Sequence, residues 1–250
     1  MEALRVEGLS KNFGGLQVLK DISFDLAVGK RMALIGPNGA GKTTLLNLIA
    51  GELSISDGRM YLFGRDITKI PTHQRTHLGI GRSYQITSLF PTLSVLDNIL
   101  LALHGTKPSR FNMFRPHIAY DEIVAKARKL LELFGLWQER ETLLQNISHG
   151  EQQQMELALC LASEPKLLLL DEPSAGLTIA ETTSLISTIH DLPQDITVFL
   201  VAHDMDVVFS LADEIMVLYY GQIIARGTPQ DIQGNSRVKE IYLGVEEGIQ

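Results

Sequence analysis

A strand, a glycine-rich loop and a helix follow one another without a break in residues 32–51. The apolar run 32–35 predicts a buried strand, and the leucine-rich segment that ends at Gly51 predicts a helix. Glycines let the loop between them curl until successive N–H groups point inward at one anion. The helix then aims the positive end of its dipole at the same place. This arrangement predicts a loop that binds a phosphate group.

The loop has the phosphate-loop spacing of nucleotide-binding proteins, in which Gly36 and Gly41 are followed by Lys42 and Thr43. Lys42 is expected to reach the β- and γ-phosphates, and the Thr43 hydroxyl to take one position on Mg²⁺. The alternative is a strand-to-helix turn that binds nothing. The flanking strand and helix favour nucleotide binding, because the motif requires that context. The candidate nucleotide contacts are Gly36, Pro37, Asn38, Gly39, Ala40, Gly41, Lys42, Thr43 and Thr44.

Composition excludes several kinds of protein. With 250 residues and 45% hydrophobic content, the chain is long enough to bury a large core. No apolar run approaches the ~18 residues that cross a bilayer, and the first residues lack a secretory layout. A single cysteine excludes an internal disulfide, and a net charge of −7 gives no nucleic-acid footprint. A soluble, cytosolic protein is expected.

Hydrophobic periodicity predicts an α/β lobe with a helical lobe inserted into it. Strands that alternate with helices after residue 163 imply a parallel sheet with crossover helices. We expect the nucleotide-binding lobe to comprise 1–85 and 163–250, and the helical lobe 86–162. Strands are expected at 4–6, 22–26, 32–35, 58–64, 80–84, 166–171 and 197–202, with a loop at 12–15 and a hairpin at 217–223. After the phosphate loop, helices are expected at 72–77, 94–103, 120–136, 151–162, 179–192 and 235–243.

Two adjacent carboxylates, Asp171 and Glu172, follow the apolar run 167–170. Burying charge without a partner is costly, so the pair requires an explanation. Asp171 is expected to hold Mg²⁺ directly or through water, as phosphate-loop enzymes require. Glu172 is then placed to polarise the attacking water as a general base. The alternative is a surface turn, which the phosphate loop in the same chain disfavours.

Three further candidates are ambiguous when taken alone. The segment 148–151, Ser-His-Gly-Glu, opens a helix with a hydroxyl, free N–H groups and a dipole. That combination suits a phosphate, but taken alone the segment is better interpreted as an ordinary N-cap. His203 follows the last core strand and fits a structural histidine, and Gln85 at a strand-to-loop boundary fits ordinary surface.

Together the motifs resemble one family, the ATP-binding cassette (ABC) ATPases, along essentially the whole chain as a single ATPase domain. The resemblance implies a phosphate-loop NTPase core with a mostly parallel sheet, an N-terminal antiparallel β subdomain and an inserted helical subdomain. The motifs that carry it, in order, are Phe13, the phosphate loop 36–43, Gln85, the signature 147–151, Asp171-Glu172, the loop 175–178 and His203.

The resemblance also implies roles for single residues. By analogy, Phe13 stacks on the adenine of ATP, Gln85 senses Mg²⁺ and the attacking water, and His203 contacts the γ-phosphate. Ser148 and Gly150 would contact the γ-phosphate of ATP bound to a second ATPase subunit, so that two subunits enclose two ATPs head to tail. The implied catalytic set is Glu172, His203 and Gln85, and the implied Mg²⁺ set is Thr43, Gln85 and Asp171.

Three positions depart from the family pattern. His149 and Glu151 stand where the usual Leu-Ser-Gly-Gly-Gln signature has glycine and glutamine, and Thr178 stands where an aspartate is usual. A carboxylate near a γ-phosphate is electrostatically unfavourable. The departures concern the site that this subunit offers to a partner rather than its own phosphate loop. They fit a partner that is a different ATPase with a stricter signature.

Within the family the chain most resembles the ATPases of branched-chain amino acid importers. The implied partners are two transmembrane permease subunits, a second ABC ATPase (non-identical or another copy) and, indirectly, a solute-binding protein. The implied location is the cytoplasmic face of the inner membrane. The resemblance rests on Arg82-Ser83-Tyr84-Gln85 with Leu89-Phe90, the basic and aromatic insertion 105–118, and the ending 238–244. The insertion suits a lipid or permease surface and equally a solvated loop.

Other readings stay open at this point. The ending also resembles ATPases of urea or short-amide uptake and of lipopolysaccharide export. A nucleotide-binding regulator that hydrolyses ATP poorly would fit the altered signature, although the intact Lys42, Asp171, Glu172 and His203 argue against it. Soluble ATPases of DNA repair or translation carry long coiled coils or two cassettes in one chain, and neither occurs in this sequence.

Overall fold

A computed structural model describes residues 1–83, 89–105 and 118–244. Its strands are β1 (Glu2–Phe13), β2 (Leu16–Ala27), β3 (Arg31–Ile35), β4 (Asp57–Leu62), β5 (Arg65–Asp66), β6 (Ile80–Arg82), β7 (Leu167–Asp171), β8 (Thr197–Val201), β9 (Glu214–Tyr219) and β10 (Gln222–Gly227). Its helices are α1 (Lys42–Ala50), α2 (Thr72–His77), α3 (Val95–Gly105), α4 (Ile118–Leu133), α5 (His149–Ala162), α6 (Ile179–His190), α7 (Met205–Leu211), α8 (Pro229–Gly234) and α9 (Ser236–Gly244).

The chain divides into two compact units. The first comprises Met1–Ile80, Lys166–Glu172 and Pro193–Gln250, and the second comprises Gly81–Pro165 and Pro173–Leu192. The boundaries expected from the sequence stay a prediction. The main difference from them is that α6 belongs to the second unit, which the sequence pattern did not indicate.

The first unit contains an antiparallel sheet in the order β2-β1-β4-β5. The expected short strands at 4–6 and 22–26 are wrong in length, because β1 and β2 have 12 residues each. The expected loop at 12–15 is the tight turn of this hairpin, in which Phe13 pairs with Leu16. Register shifts interrupt the pairing of β1 with β2. The alternation of apolar and polar residues therefore holds only over short stretches, which hid the full strands.

A second sheet has the strand order β10-β9-β3-β8-β7-β6. β7, β8, β3 and β9 are parallel, whereas β10 returns antiparallel to β9 and confirms the hairpin expected at 217–223. β7 and β8 are buried at every position, as apolar runs covered on both faces require. Because carboxyl ends of parallel strands meet at one edge, the loops after β3, β7 and β8 lie together.

Helix α1 packs its apolar face, including Leu45, Leu46 and Ile49, into the core of the first unit. Its carboxyl end is held by Arg75, whose guanidinium donates to the carbonyls of Leu48 and Ile49, both at 2.7 Å. The same guanidinium donates to the carbonyls of Ile70 and Ile67. Arg75 is only 2% exposed, so one buried cation satisfies carbonyls that the helix end leaves open.

In the second unit, α3, α4 and α5 pack against one another. α4 ends earlier than expected, because Gly135 adopts a φ of +70° and Leu136 N–H donates to Leu131 O at 2.7 Å, which closes the helix. The expected helices at 94–103, 151–162 and 179–192 are confirmed as α3, α5 and α6.

Among the described residues, none of the helices has both the length and the apolar character of a membrane span.

Candidate functional site

The phosphate loop leaves β3 at Gly36 and enters α1 at Gly41. Side chains are excluded at both points: a Cβ on Gly36 would clash with Leu218 O, and one on Gly41 would lie 2.8 Å from Leu19 Cδ2. Gly41 also has a φ of +105°, which favours glycine. It is the N-cap of α1, with no side-chain cap and no acidic residue in the first turn of the helix. The N-terminus of α1 is therefore open to an external anion.

Lys42 lies inside the loop that precedes it. The side chain is 6% exposed, and its Nζ donates to Gly36 O at 2.7 Å and to Pro37 O at 3.1 Å. Burial lowers the pKa of Lys42, while the negative charges of Glu172 and Asp171 oppose that shift. The ammonium group is thus partly desolvated and lies near two carboxylates, an arrangement that suits a contact with phosphate oxygens.

The two carboxylates occupy different surroundings at the end of β7. Asp171 is its last residue and is 6% exposed, whereas the Glu172 side chain is 27% exposed. Glu172 N–H donates to Val201 O at 2.8 Å, and the residue has a φ of +50°. A left-handed conformation at a residue other than glycine costs about 1–3 kcal/mol, and such strain is concentrated at functional sites.

His203, two residues after β8, meets Glu172 at this edge of the sheet. Its Nε2 lies 2.7 Å from Glu172 Oε1, and its side chain is 44% exposed. The sequence-predicted residues Lys42, Asp171, Glu172 and His203 therefore lie together in the first unit. This contact places one carboxylate oxygen of Glu172 against the His203 imidazole.

The turn of the hairpin at 217–223 supports the phosphate loop, a contact that the sequence analysis did not predict. Tyr220 and Gly221 join β9 to β10 with φ values of +44° and +74°. Gly221 N–H donates to Ala40 O at 3.1 Å, and Gly221 O accepts from Lys20 N–H at 2.8 Å. This Tyr-Gly turn thus ties the phosphate loop to β2. The glycine inside the apolar run 217–223 marks a two-residue hairpin turn, but nothing in that run indicates the contact with Ala40.

The adenine-stacking candidate, Phe13, ends β1 and is 46% exposed. Lys11 Nζ lies 4.8 Å from the centroid of its ring and donates to Ser54 O at 2.7 Å. An exposed ring beside a cation is suited to stacking on a base. Gln85 and nearly all of the insertion 105–118 lie outside the described residues.

The signature residues lie in the second unit, at the start of α5. Ser148 caps this helix: its Oγ accepts from Glu151 N–H at 3.2 Å, and its own N–H donates to Glu151 Oε2 at 2.8 Å. Thr178 caps α6 in the same way, with Glu181 as the reciprocal partner. Two of the family departures, Glu151 and Thr178, are therefore capping residues in this chain.

Two of the three predicted Mg²⁺ ligands, Thr43 and Asp171, lie among the described residues. In the part of the chain that the structure describes, no group of three or more His, Cys, Asp or Glu side chains is arranged to hold one. Thr43 is exposed at the start of α1, and Asp171 ends the buried strand β7. A hydroxyl and a carboxylate fit Mg²⁺ that takes its other ligands from phosphate and water.

Residues 19–175 match the sequence profile of the ABC transporter family. The chain belongs to this family. Residues 222–248 also match a profile described as the branched-chain amino acid ATP-binding cassette transporter. An ABC transporter ATPase binds and hydrolyses ATP, and the α/β fold with its phosphate loop is the fold of such ATPases.

Known ABC ATPases are similar to this chain along nearly their full length. The high-affinity branched-chain amino acid transport ATP-binding protein LivG of Salmonella typhimurium is 35% identical over 248 residues, covering 96% of this chain and 97% of the relative. The probable LivG of Archaeoglobus fulgidus is 34% identical over 250 residues, covering 99% and 97%. The ADP conformation of MJ1267, an ATP-binding cassette of an ABC transporter, has a TM-score of 0.86 at 30% identity, covering 98% and 99%.

Proposed function

We propose that this ABC ATPase powers the uptake of branched-chain or closely related amino acids. The support for the solute class is the similarity to relatives named as branched-chain amino acid transport ATP-binding proteins, together with the match at residues 222–248. The support for the chemistry is the Glu172–His203 contact of 2.7 Å, together with the electrostatic interaction of Glu172 with Lys42 at the start of α1.

Nucleotide binding begins with the phosphate loop and α1. The open N-terminus of α1 attracts the phosphates, and Lys42 transfers its hydrogen bonds from Gly36 O and Pro37 O to the β- and γ-phosphates. Thr43 and Asp171 would hold Mg²⁺, which neutralises phosphate charge when bound. The roles of Gln85 at the metal and of Phe13 against adenine stay proposals from the family resemblance.

Glu172 then acts as the general base. His203 holds one oxygen of its carboxylate, so the other is oriented toward the water that attacks the γ-phosphate. His203 is also placed to contact the γ-phosphate when nucleotide is bound. Ser148 and Gly150 would contact the γ-phosphate held by a second ATPase subunit, and the paired subunits would drive two permeases at the cytoplasmic face of the inner membrane. A solute-binding protein would deliver the amino acid.

Substitution of Glu172 tests this assignment. Glu172→Gln keeps the shape of the side chain but removes the base, so ATP hydrolysis should fall by about 100-fold or more while ATP still binds. Lys42→Ala should instead abolish ATP binding, because the loop loses its cation. Phosphate release measures the first effect, and isothermal titration calorimetry measures both affinities.

Glu240→Gln is the matched control, since it removes an exposed carboxylate of α9. It should leave hydrolysis and binding unchanged. Normal turnover in Glu172→Gln would rule out the general-base role, and undiminished ATP binding in Lys42→Ala would rule out the phosphate-loop assignment.

A further inference from the structure

The N-termini of α1 and α5, the two helix ends assigned to phosphates, differ in what already occupies them. α1 has no side-chain cap and no acidic residue in its first turn. α5 carries Glu151 in its first turn, and the carboxylate of Glu151 accepts the Ser148 N–H at 2.8 Å. The first turn of α5 thus carries a carboxylate that caps the helix, and the first turn of α1 carries none.

A second carboxylate reaches the same helix end from α6. Glu181 lies so close to Gly150 that a Cβ on Gly150 would clash with its Oε1, Cδ and Cγ atoms. The carboxylate is held by Thr178, whose N–H and hydroxyl both donate to Oε2, at 2.8 Å and 2.7 Å. These two hydrogen bonds are the main reason that the pKa of Glu181 is lowered, and the charge of His149 and the backbone of Gly150 lower it further. Glu181 is therefore a fixed anion.

We propose that Glu181 competes with the γ-phosphate of a partner's ATP for the N-terminus of α5 and thereby weakens the ATP-driven pairing of two copies of this chain. The inference rests on the proposed function, which brings that γ-phosphate to Ser148 and Gly150. For the phosphate to reach the Gly150 backbone, the Glu181 carboxylate must move away, or two anions must share one helix end. The site that this subunit offers in trans is therefore closed by its own side chain.

Glu181→Gln tests the competition without removing the cap. Glutamine fills the same position in a capping box, so α6 should keep its N-terminus while the charge is lost. Both chains carry Glu172→Gln to prevent hydrolysis, and sedimentation equilibrium in MgATP gives the dimer dissociation constant. We expect Glu181→Gln to lower that constant about tenfold or more, because a repulsion is removed at each of two equivalent sites.

The matched control is Asp231→Asn. Asp231 is the reciprocal partner of Thr228 in the capping box of α8, with its Oδ2 accepting the Thr228 N–H at 2.9 Å. This substitution also neutralises a capping carboxylate, but it lies in the first unit, away from the signature helix in sequence. It should leave the dimer dissociation constant unchanged.

Three results would overturn the competition: an unchanged constant in Glu181→Gln, an equal change in the Asp231→Asn control, or no dimer from either chain up to the highest concentration. The parent chain is the one that carries Glu172→Gln alone. Calorimetry of MgATP binding to this chain separates failure of the competition from failure of the proposed function. If the parent binds MgATP and Glu181→Gln does not tighten the dimer, the competition is wrong while the nucleotide site stands. If the parent does not bind MgATP, the proposed function itself fails.

Discussion

Single buried ionisable side chains differ in whether hydrogen bonds compensate for their burial. Arg75 is buried, and desolvation lowers its pKa to about 10, yet its five donors have four carbonyl partners and it stays charged at neutral pH. Glu156, on α5, is half-buried, and desolvation raises its pKa to about 7. Glu156 is thus an acid whose charged form destabilises the fold near neutral pH.

This difference predicts a pH-dependent effect of Glu156→Gln. The folded-state pKa of about 7 lies above the ordinary value of 4.5. The wild-type stability that depends on the neutral acid is therefore complete below pH 4.5 and is lost as the pH rises through about 7. With allowance for partial exposure, the variant should be more stable than wild type by about 1–2 kcal/mol at pH 8.5 and equal to it at pH 4.

Urea denaturation at both pH values measures the difference. Glu122→Gln, at an exposed position of α4, is the control, and its effect should not change with pH. A stability difference between Glu156→Gln and wild type that is the same at pH 4 and pH 8.5 would contradict the prediction.

Among the elements, the turn between β9 and β10 is matched by a second turn of the same backbone type. Phe63 and Gly64 join β4 to β5 with φ values of +48° and +77°. A Cβ on Gly64 meets nothing within 4 Å, whereas a Cβ on Gly221 would clash with Val18 O. In both turns the glycine has a positive φ, but only the glycine at position 221 is packed against another strand.

Gly221→Ala should therefore weaken ATP binding, and Gly64→Ala should not. Alanine at 221 must displace either β2 or the turn, and the turn holds Ala40 of the phosphate loop through a 3.1 Å hydrogen bond. We expect an approximately tenfold loss of ATP affinity, equivalent to about 1.4 kcal/mol. Because both variants place alanine at a positive φ, the difference between their ATP affinities, measured by calorimetry, reports the contact of the Gly221 turn with β2 and the phosphate loop. Equal affinities in the two variants would show that the turn does not position the loop.

How well the sequence predicted each element depended on whether local signals sufficed. The phosphate loop, β7 with its two carboxylates, and His203 after β8 follow from glycine spacing and short apolar runs. The lengths of β1 and β2 could not be predicted in this way, because register shifts break the periodicity of these strands. α7 and α8, which have seven and six residues, were missed as well. The sequence analysis did not single out Glu181, because only its approach to Gly150, 31 residues earlier in the chain, distinguishes it.

At the scale of the whole molecule, the proposed function predicts that this ATPase binds permease subunits and a second ATPase at the membrane. Affinity purification from detergent-solubilised native membranes should recover two multi-span permeases and an ABC ATPase partner, identified by mass spectrometry. Recovery of the folded bait without any membrane protein would refute the importer assignment and favour a soluble ATPase.

The order of strands in the second sheet has a consequence for biosynthesis. β3, which delivers the phosphate loop, pairs with β8 through Arg31 and Val198 and with β9 through Met32 and Glu214. Both partners are translated after most of the chain, so a nascent chain can carry the complete glycine-rich motif without any scaffold for it. Such late, non-local pairing slows folding and leaves apolar strands exposed during synthesis. A nascent chain that ends before β8 therefore contains β3 and the phosphate loop without either partner strand of β3.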